Sequence, residues 1–339
     1  MKHSLVPTWV TSIILITLTS TAFSQTYTVT DLRTLAGGNA SVGYNMNASG
    51  QVAGNSTLPG NAYGHAVIFA NGALTDLGDL GGGWSDAFQV NASGQVTGYA
   101  PLADGSDRGY IFSNGQMTAL PTLGGSFSDA YAINDLGQVV GASGTSNGET
   151  HPFLFSNGTM TDLGTLGAHG SEYWNTALGV NKSGQVVGYS YTATGSIRGF
   201  FWQNGKMRAM GTLGGAYSQA YAINNAGQAT GTAYLKNGAA HAFLFSKGKM
   251  VDVDGRTGTS TSVGWAINNL GVVVGRIDVS NGYHAFISTG KLQDLNQLIS
   301  QNSGWVLSEA RGINDAGQIS GYGFHNGQER AFLLTPVAR

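Results

Sequence analysis

The amino-acid sequence predicts an all-β fold: a seven-bladed β-propeller of four-stranded antiparallel blades, closed by the N-terminal strand pairing with the C-terminal blade. Three observations carry this expectation. The phrase Gly-Gln-Val-Val-Gly (137–141) recurs with small changes from Gly50, Gly94, Gly184, Gly227, Gly271 and Gly317, a period of 43 to 47 residues. That spacing suits propeller blades better than short-coil solenoids. Each unit holds four short runs of strand-forming residues between tight turn sequences, and no segment sustains a helical period. The two ends of the chain are complementary fractions of one unit.

The units register on an Asn three residues before the phrase: Asn47, Asn91, Asn134, Asn181, Asn224, Asn268 and Asn314. In the third unit, SDAYAIN reads as strand a, QVVGAS as b, HPFLFSNG as c and TMTDLGTL as d. Between a and b, Asn134-Asp135-Leu136-Gly137 forms a type I turn, with the Asn able to cap and the Gly free to take positive φ. Between c and d, Asn157-Gly158 is a strong hairpin signal. Both joints are tight, so neighbouring strands pair antiparallel.

Strand a carries a second regularity. Four residues before the register Asn stand Gly43, Ala87, Ala130, Ala177, Ala220, Gly264 and Ala310, all small. Three before it stand Tyr44, Phe88, Tyr131, Leu178, Tyr221, Trp265 and Arg311, mostly large. Strand side chains alternate faces, so the bulky face of one blade is expected to meet the flat face of the next, with the last Gly of each phrase allowing blades to approach.

The opening YTVTDLRTL is a d strand with no c strand before it, and the closing RAFLLTPV is a c strand with no d strand after it. Joined, they complete the seventh blade and remove the edge strands that an open array would expose. A β-solenoid, the alternative, gives no reason for complementary halves.

Composition narrows the function classes. Charged residues make up 10% of the 339-residue chain, against a usual ~25%, while 53 glycines are about twice the usual share. A formal net charge of −2 provides no basic stripe, so nucleic acid is not an expected partner. The absence of cysteine excludes disulfides, thiol nucleophiles and Cys-based metal sites. Lys2 and His3 precede an apolar run from about Trp9 to Phe23, ending in Ala22-Phe23-Ser24. This reads as a signal peptide over residues 1–24, leaving one propeller domain at 25–339. The expected location is secreted or periplasmic, with no membrane anchor and no lipid attachment.

The chain resembles the extracellular HAF-repeat proteins. The likeness rests on HAFLFS (241–246), MTDLGTLG (160–167), AINDLGQVVG (132–141) and the closing GINDAGQISGYG with RAFLLTP, and it covers the whole mature chain. It implies export and a bacterial origin, and it implies no particular activity.

The residue opening strand c is His65, Arg108, His151, Arg198, His241, His284 or Arg330; the strand d counterpart is Asp76, Ala119, Asp162, Ala209, Asp252, Asp294 or, across the closure, Asp31. Every His unit has an Asp. With an Asn-Gly hairpin, Phe153 faces Asp162 and His151 sits diagonally beside it, within side-chain reach at about 7–8 Å. Such repeated pairs read as strand pegs; where Arg replaces His, a backbone carbonyl is the expected acceptor. Gly144-Thr145-Ser146-Asn147-Gly148 matches a GxSxG nucleophile motif, but no helix follows to make the elbow. Asp104-Gly105-Ser106-Asp107 is thin for calcium. No cofactor, metal site or catalytic set is expected.

The a–b and c–d turns are nearly identical among units and share one face of the ring. The b–c and d–a connections share the other face and vary, including the long GAHGSEYWNT and NQLISQNSGWVLS. Binding residues concentrate on variable loops of rigid scaffolds, which makes Tyr63, Trp84, His169, Glu172, Tyr173, Trp174, Tyr191, Tyr234, Tyr283 and Trp305 the candidate binding residues, with Phe127 and Tyr217 nearby. Exposed aromatics with few charges suit sugar rings and also protein interfaces. The first expectation is therefore a secreted binding module for a glycan or for an envelope or matrix protein. The alternatives are a hydrolase or lyase using His169, Glu172, Asp104 or Asp107, and a structural surface protein with no small ligand. A pocket holding two carboxylates would favour the enzyme, and an aromatic platform the binder. The oligomeric state is left open.

Overall fold

The computed structural model describes residues 25–60 and 63–338; the apolar leader lies outside the described residues. Seven four-stranded antiparallel sheets form the blades, six of them from four consecutive strands a to d. Blades 1 to 6 occupy 41–76, 86–119, 124–162, 176–209, 214–252 and 262–294. Blade 7 takes its first three strands from 305–336 and its fourth from β1 (Tyr27–Asp31), which pairs from Tyr27 opposite Pro336 to Asp31 opposite Phe332. The fold, the strand order and the closure are those expected from the sequence. No helix among the described residues is long and apolar enough to cross a membrane; one 3-10 turn, Leu295–Gln297, is capped by Asp294.

The c–d turns take the hairpin form their sequence dictates. Asn71, Asn114, Asn157, Asn204 and Lys247 have φ near 50°, each followed by a Gly with φ of 74° to 79°, the doubly left-handed geometry of a type I′ turn. At the a–b turns the register Asn accepts through Oδ1 from backbone N–H groups two and four residues ahead, as Asn134 does from Leu136 and Gln138 at 3.0 Å. Its amide also does something the sequence did not reveal. Asn134 Nδ2 donates to the Asn181 carbonyl of the next blade at 2.9 Å, and Asn47, Asn91, Asn181, Asn224 and Asn268 repeat the bond at 2.9 to 3.2 Å. At the seam Asn314 reaches Ala48 O at 3.5 Å. The seven amides make a hydrogen-bonded girdle around the axis.

The core is divided among the blade interfaces in seven apolar clusters. Between blades 3 and 4, for instance, Ala132, Val140 and Leu163 pack against Ala177, Val180, Val186 and Phe200. The third residue of strand c (Tyr110, Phe153, Phe200, Phe243, Phe286 and Phe332) is fully buried. Ser128, Ser218 and Ser262 accept through Oγ from strand c N–H groups of the preceding blade, adding polar clasps beside the apolar ones.

Two expectations about strand a are corrected. Every a–b pair contains a β-bulge, as between Ala130 (opposite Gly141) and Ala132 (opposite Val140), which leaves Tyr131 unpaired. Equivalent shifts occur at Phe88, Leu178, Tyr221, Trp265 and Arg311, and across Tyr44 and Asn45. A bulge puts two residues opposite one and re-aims the side chain. The bulky residues therefore point to the propeller axis and not into the next blade. The last Gly of each phrase serves the same feature within its own blade: a Cβ at Gly141 would overlap the Asp129 carbonyl oxygen, and one at Gly188, Gly231 or Gly275 the corresponding oxygen of Thr176, Gln219 or Val263.

Candidate functional site: an aromatic channel on the axis

The bulge residues build a cavity of about 380 Å³ lined by Tyr44, Phe88, Tyr131, Leu178, Tyr221, Trp265 and Arg311, with Asn45, Gln89, Gln219, Thr176 and Tyr189 between them and Trp174 at the variable-loop side. It shares Asn45, Gln89, Leu178, Tyr221 and Trp265 with a second space of about 270 Å³ at the girdle end, so one channel runs along the axis. The rings touch in sequence. Tyr44 meets Phe88 at 5.1 Å between centroids, Phe88 meets Tyr131 at 5.4 Å, and Tyr221 meets Trp265 at 4.7 Å. Arg311 lies 4.0 Å over Trp265 and 5.9 Å from Tyr44, which joins the two arcs. These separations are those of favourable aromatic and cation–π pairs.

Burial sets the electrostatics. It pushes the Tyr221 hydroxyl up to about 12 and, with Asp86 and then Asp129 adding negative charge, the Tyr99 hydroxyl likewise to about 12, so both remain neutral donors. Behind the wall of blades 2 and 3, burial and the charge of Asp107 push Asp129 up to about 6, opposed by a hydrogen bond from the Tyr131 hydroxyl. Burial also raises Asp86, against a hydrogen bond from Asn55. Neither carboxylate lines the cavity. Across the axis, Glu309 is almost completely buried and accepts from Arg276 Nη1 at 2.7 Å, with Arg311 Nε 2.5 Å from its other oxygen. That second pair is an ion pair without hydrogen-bond alignment among the described residues.

Of the ten candidates from the sequence, Trp174 alone lines the channel, stacked on Phe127 at 5.1 Å and 17°. Trp84 connects to it through Tyr99, which stacks on Phe88. The others form separate pairs around the rim: Tyr173 with Tyr191, Tyr234 with Tyr217, Trp305 with His325, and Tyr283 beneath Arg276. Tyr63 stands exposed. His169 faces Glu149 Oε1 at 3.3 Å, while Glu172 makes no ion pair among the described residues. Glu149 was not foreseen: it also accepts from Gly170 N and lies 3.1 Å from His151 Nε2, tying down the fourth-blade insertion. Asp104 accepts from Ser106 N and Oγ on an exposed turn. Among the described residues, no ion pair joins His169 to Glu172, Asp104 or Asp107. Ser146 sits in a b–c hairpin turn leading into strand Thr150–Ser156.

The four His–Asp pairs form as expected, with Nδ1 to carboxylate distances of 2.6 to 2.9 Å. Arg108 and Arg198 donate instead to Ser126 O and Ala216 O at the start of the next blade's strand a, and Arg330 donates to Asn39 O just ahead of blade 1. Asp31, freed from Arg330, takes His325 Nδ1 at 3.1 Å. No group of three or more potential His, Asp or Glu metal ligands converges among the described residues.

No family model and no curated protein matches the chain. Solved structures do. Over 92% of its length the chain is similar to the β-propeller domain of the Trilobed protease from Pyrococcus furiosus, at 9% identity and a TM-score of 0.54, covering 94% of that domain. It is also similar to a puromycin-hydrolyzing peptidase of Mycobacterium tuberculosis (12% identity, TM-score 0.56, 83% of this chain and 48% of that one). An acylaminoacyl peptidase of Pyrococcus horikoshii matches at 9% identity and a TM-score of 0.51, over 88% of this chain and 53% of that one. The chain spans about half the length of those two peptidases. At such identities the likeness is one of fold, and it defines the class: a β-propeller, here with seven blades and an aromatic axial channel.

Proposed function

We propose that this is an exported carbohydrate-binding propeller whose site is the channel mouth on the variable-loop face. The observation that carries the reading is the aromatic wall interrupted by amide groups: flat rings from six blades, with Asn45, Gln89 and Gln219 between them. A sugar ring presents an apolar C–H face to aromatics and hydroxyls to amides, and a mostly apolar cavity with a few placed polar groups is the usual form of a small-ligand site. Binding is favoured over hydrolysis because glycoside cleavage uses two carboxyl groups flanking the scissile bond, about 5 to 9.5 Å apart, and no carboxylate lines this cavity. The HAF-repeat resemblance and the leader support export.

A glycan array probed with the purified protein tests the proposal, with Trp174→Ala beside the wild type. Trp174 is 40% exposed and lies outside the seven buried clusters between blades. Specific glycans are expected to bind and to weaken about tenfold in the variant, near the upper value of an aromatic contact, whereas Tyr63→Ala leaves them unchanged. No binding, or binding indifferent to Trp174, overturns the reading.

A further inference from the structure

We propose that the glycan read by this channel is acidic, with a carboxylate of the uronic-acid type seated against Arg311; this rests on the carbohydrate reading above. At the bulge position six blades present Tyr, Phe, Leu or Trp, and blade 7 alone presents a charge. Arg311 is the one charged side chain lining the aromatic cavity among the described residues. Although it is paired with Glu309 through Nε, three features suit its remaining donors to an anion.

The guanidinium is held in place before any ligand arrives. Trp265 lies 4.0 Å beneath it, and the rings of Tyr44 and Tyr322 lie 5.9 and 6.0 Å away. An immobilised fork loses little conformational freedom on binding. Arg276 and Arg311 also share Glu309 as their one directly paired carboxylate among the described residues. Arg276 takes the well-aligned bond, and the Arg311 pair is close without hydrogen-bond geometry. Finally, the indole under the guanidinium has an Nε1–H with no acceptor among the described residues. An arginine with uncommitted donors, in a partly desolvated aromatic wall, matches a planar carboxylate through two parallel N–H···O bonds. Near the aromatic end of the channel, Asp86, Asp107 and Asp129 belong to blades 2 and 3, Asp278 lies near Arg276 in blade 6, and Asp135, Lys182 and Asp315 line the girdle end. The field of the blade 2 and 3 carboxylates repels an anion from that wall and directs it to blade 7.

The test is calorimetric titration of the purified protein with an oligogalacturonate, its fully methyl-esterified neutral form, and a sulfated oligosaccharide of equal length. The acidic oligomer is expected to bind at least tenfold tighter than the ester and tighter than the sulfated one, with a preference that shrinks as salt rises. Arg311→Gln brings the acid-to-ester ratio close to one, and Arg311→Lys retains part of it, because it keeps the charge and loses the fork. Unchanged circular dichroism and melting temperature establish that both variants fold; should Arg311→Gln not fold, Arg311→Lys and the salt series carry the test. Equal binding of acid and ester by the wild type, a preference retained in Arg311→Gln, or equal binding of the sulfated oligomer overturns the inference while leaving carbohydrate binding standing. Absence of binding to any sugar on the array removes the carbohydrate reading itself.

Discussion

Asp129 shows how one buried carboxyl couples the channel wall to pH. Burial and Asp107 hold its folded-state value at about 6, above the ordinary 3.8. The folded protein therefore takes up this proton at higher pH than the unfolded chain does. Linkage makes stability fall as pH rises from about 4 to about 6, with the full cost present above that range. Asp129→Asn is expected to raise the melting temperature at pH 7.5, by the equivalent of roughly 2–3 kcal/mol, and to have almost no effect below pH 4. Equal melting temperatures at pH 7.5 would remove the explanation. At this scale the sequence was informative where local geometry fixes a partner: the type I′ hairpin sets the register, and the register sets His151 beside Asp162. It was silent on Asp129 and Glu309, whose burial depends on residues from other blades.

The bulge governs the element scale. Strict alternation sends Tyr131 and its counterparts into the blade interface, whereas the inserted residue turns them to the axis. The small residue before each bulge and the strand b Gly opposite it were visible as a pattern, but nothing local distinguishes a glycine needed by a bulge from one needed by a neighbouring blade. The two glycine environments give a direct test. Gly141→Ala drives a methyl into the Asp129 carbonyl and is expected to destabilise by about 1–3 kcal/mol or more. A Cβ at Gly211 meets no atom within 4 Å, and Gly211→Ala is expected to be neutral or to stabilise by about 0.4–1 kcal/mol. Chemical denaturation of the two variants compares them, and equal midpoints would refute the bulge explanation. The rim aromatics were legible as exposed loop residues, yet their grouping into separate pairs depends on how loops from adjacent blades lean together.

For the whole molecule, the decisive feature is closure. Residues 25–26 lie beside 337: Val337 N donates to Thr26 O at 2.9 Å, and Gln25 Nε2 to Val337 O at 3.0 Å. Tyr27 is buried in the cluster between blades 6 and 7. Removing the closing strand exposes the pairing edge of Gln328–Pro336, and exposed edges recruit other chains. A truncation beginning at Leu32 is expected to associate or aggregate in light scattering. A circular permutant that carries residues 25–37 after residue 338 is expected to stay monodisperse to the same degree as the parent chain. Aggregation of both would show that continuity, not strand pairing, keeps the ring intact. Ring number and closure were readable from the sequence because repeats and half-units are arithmetic; the channel was not, because it exists only once seven bulges share an axis.

Because each bulge releases one side chain from the duties of the core, the channel is written in seven positions that can change without disturbing the clusters between blades. This chain spells Tyr-Phe-Tyr-Leu-Tyr-Trp-Arg around the ring. Substitutions at those seven positions change the channel wall while the girdle and the clasps stay as they are. The repeat, monotonous along the sequence, is what frees this alphabet to vary.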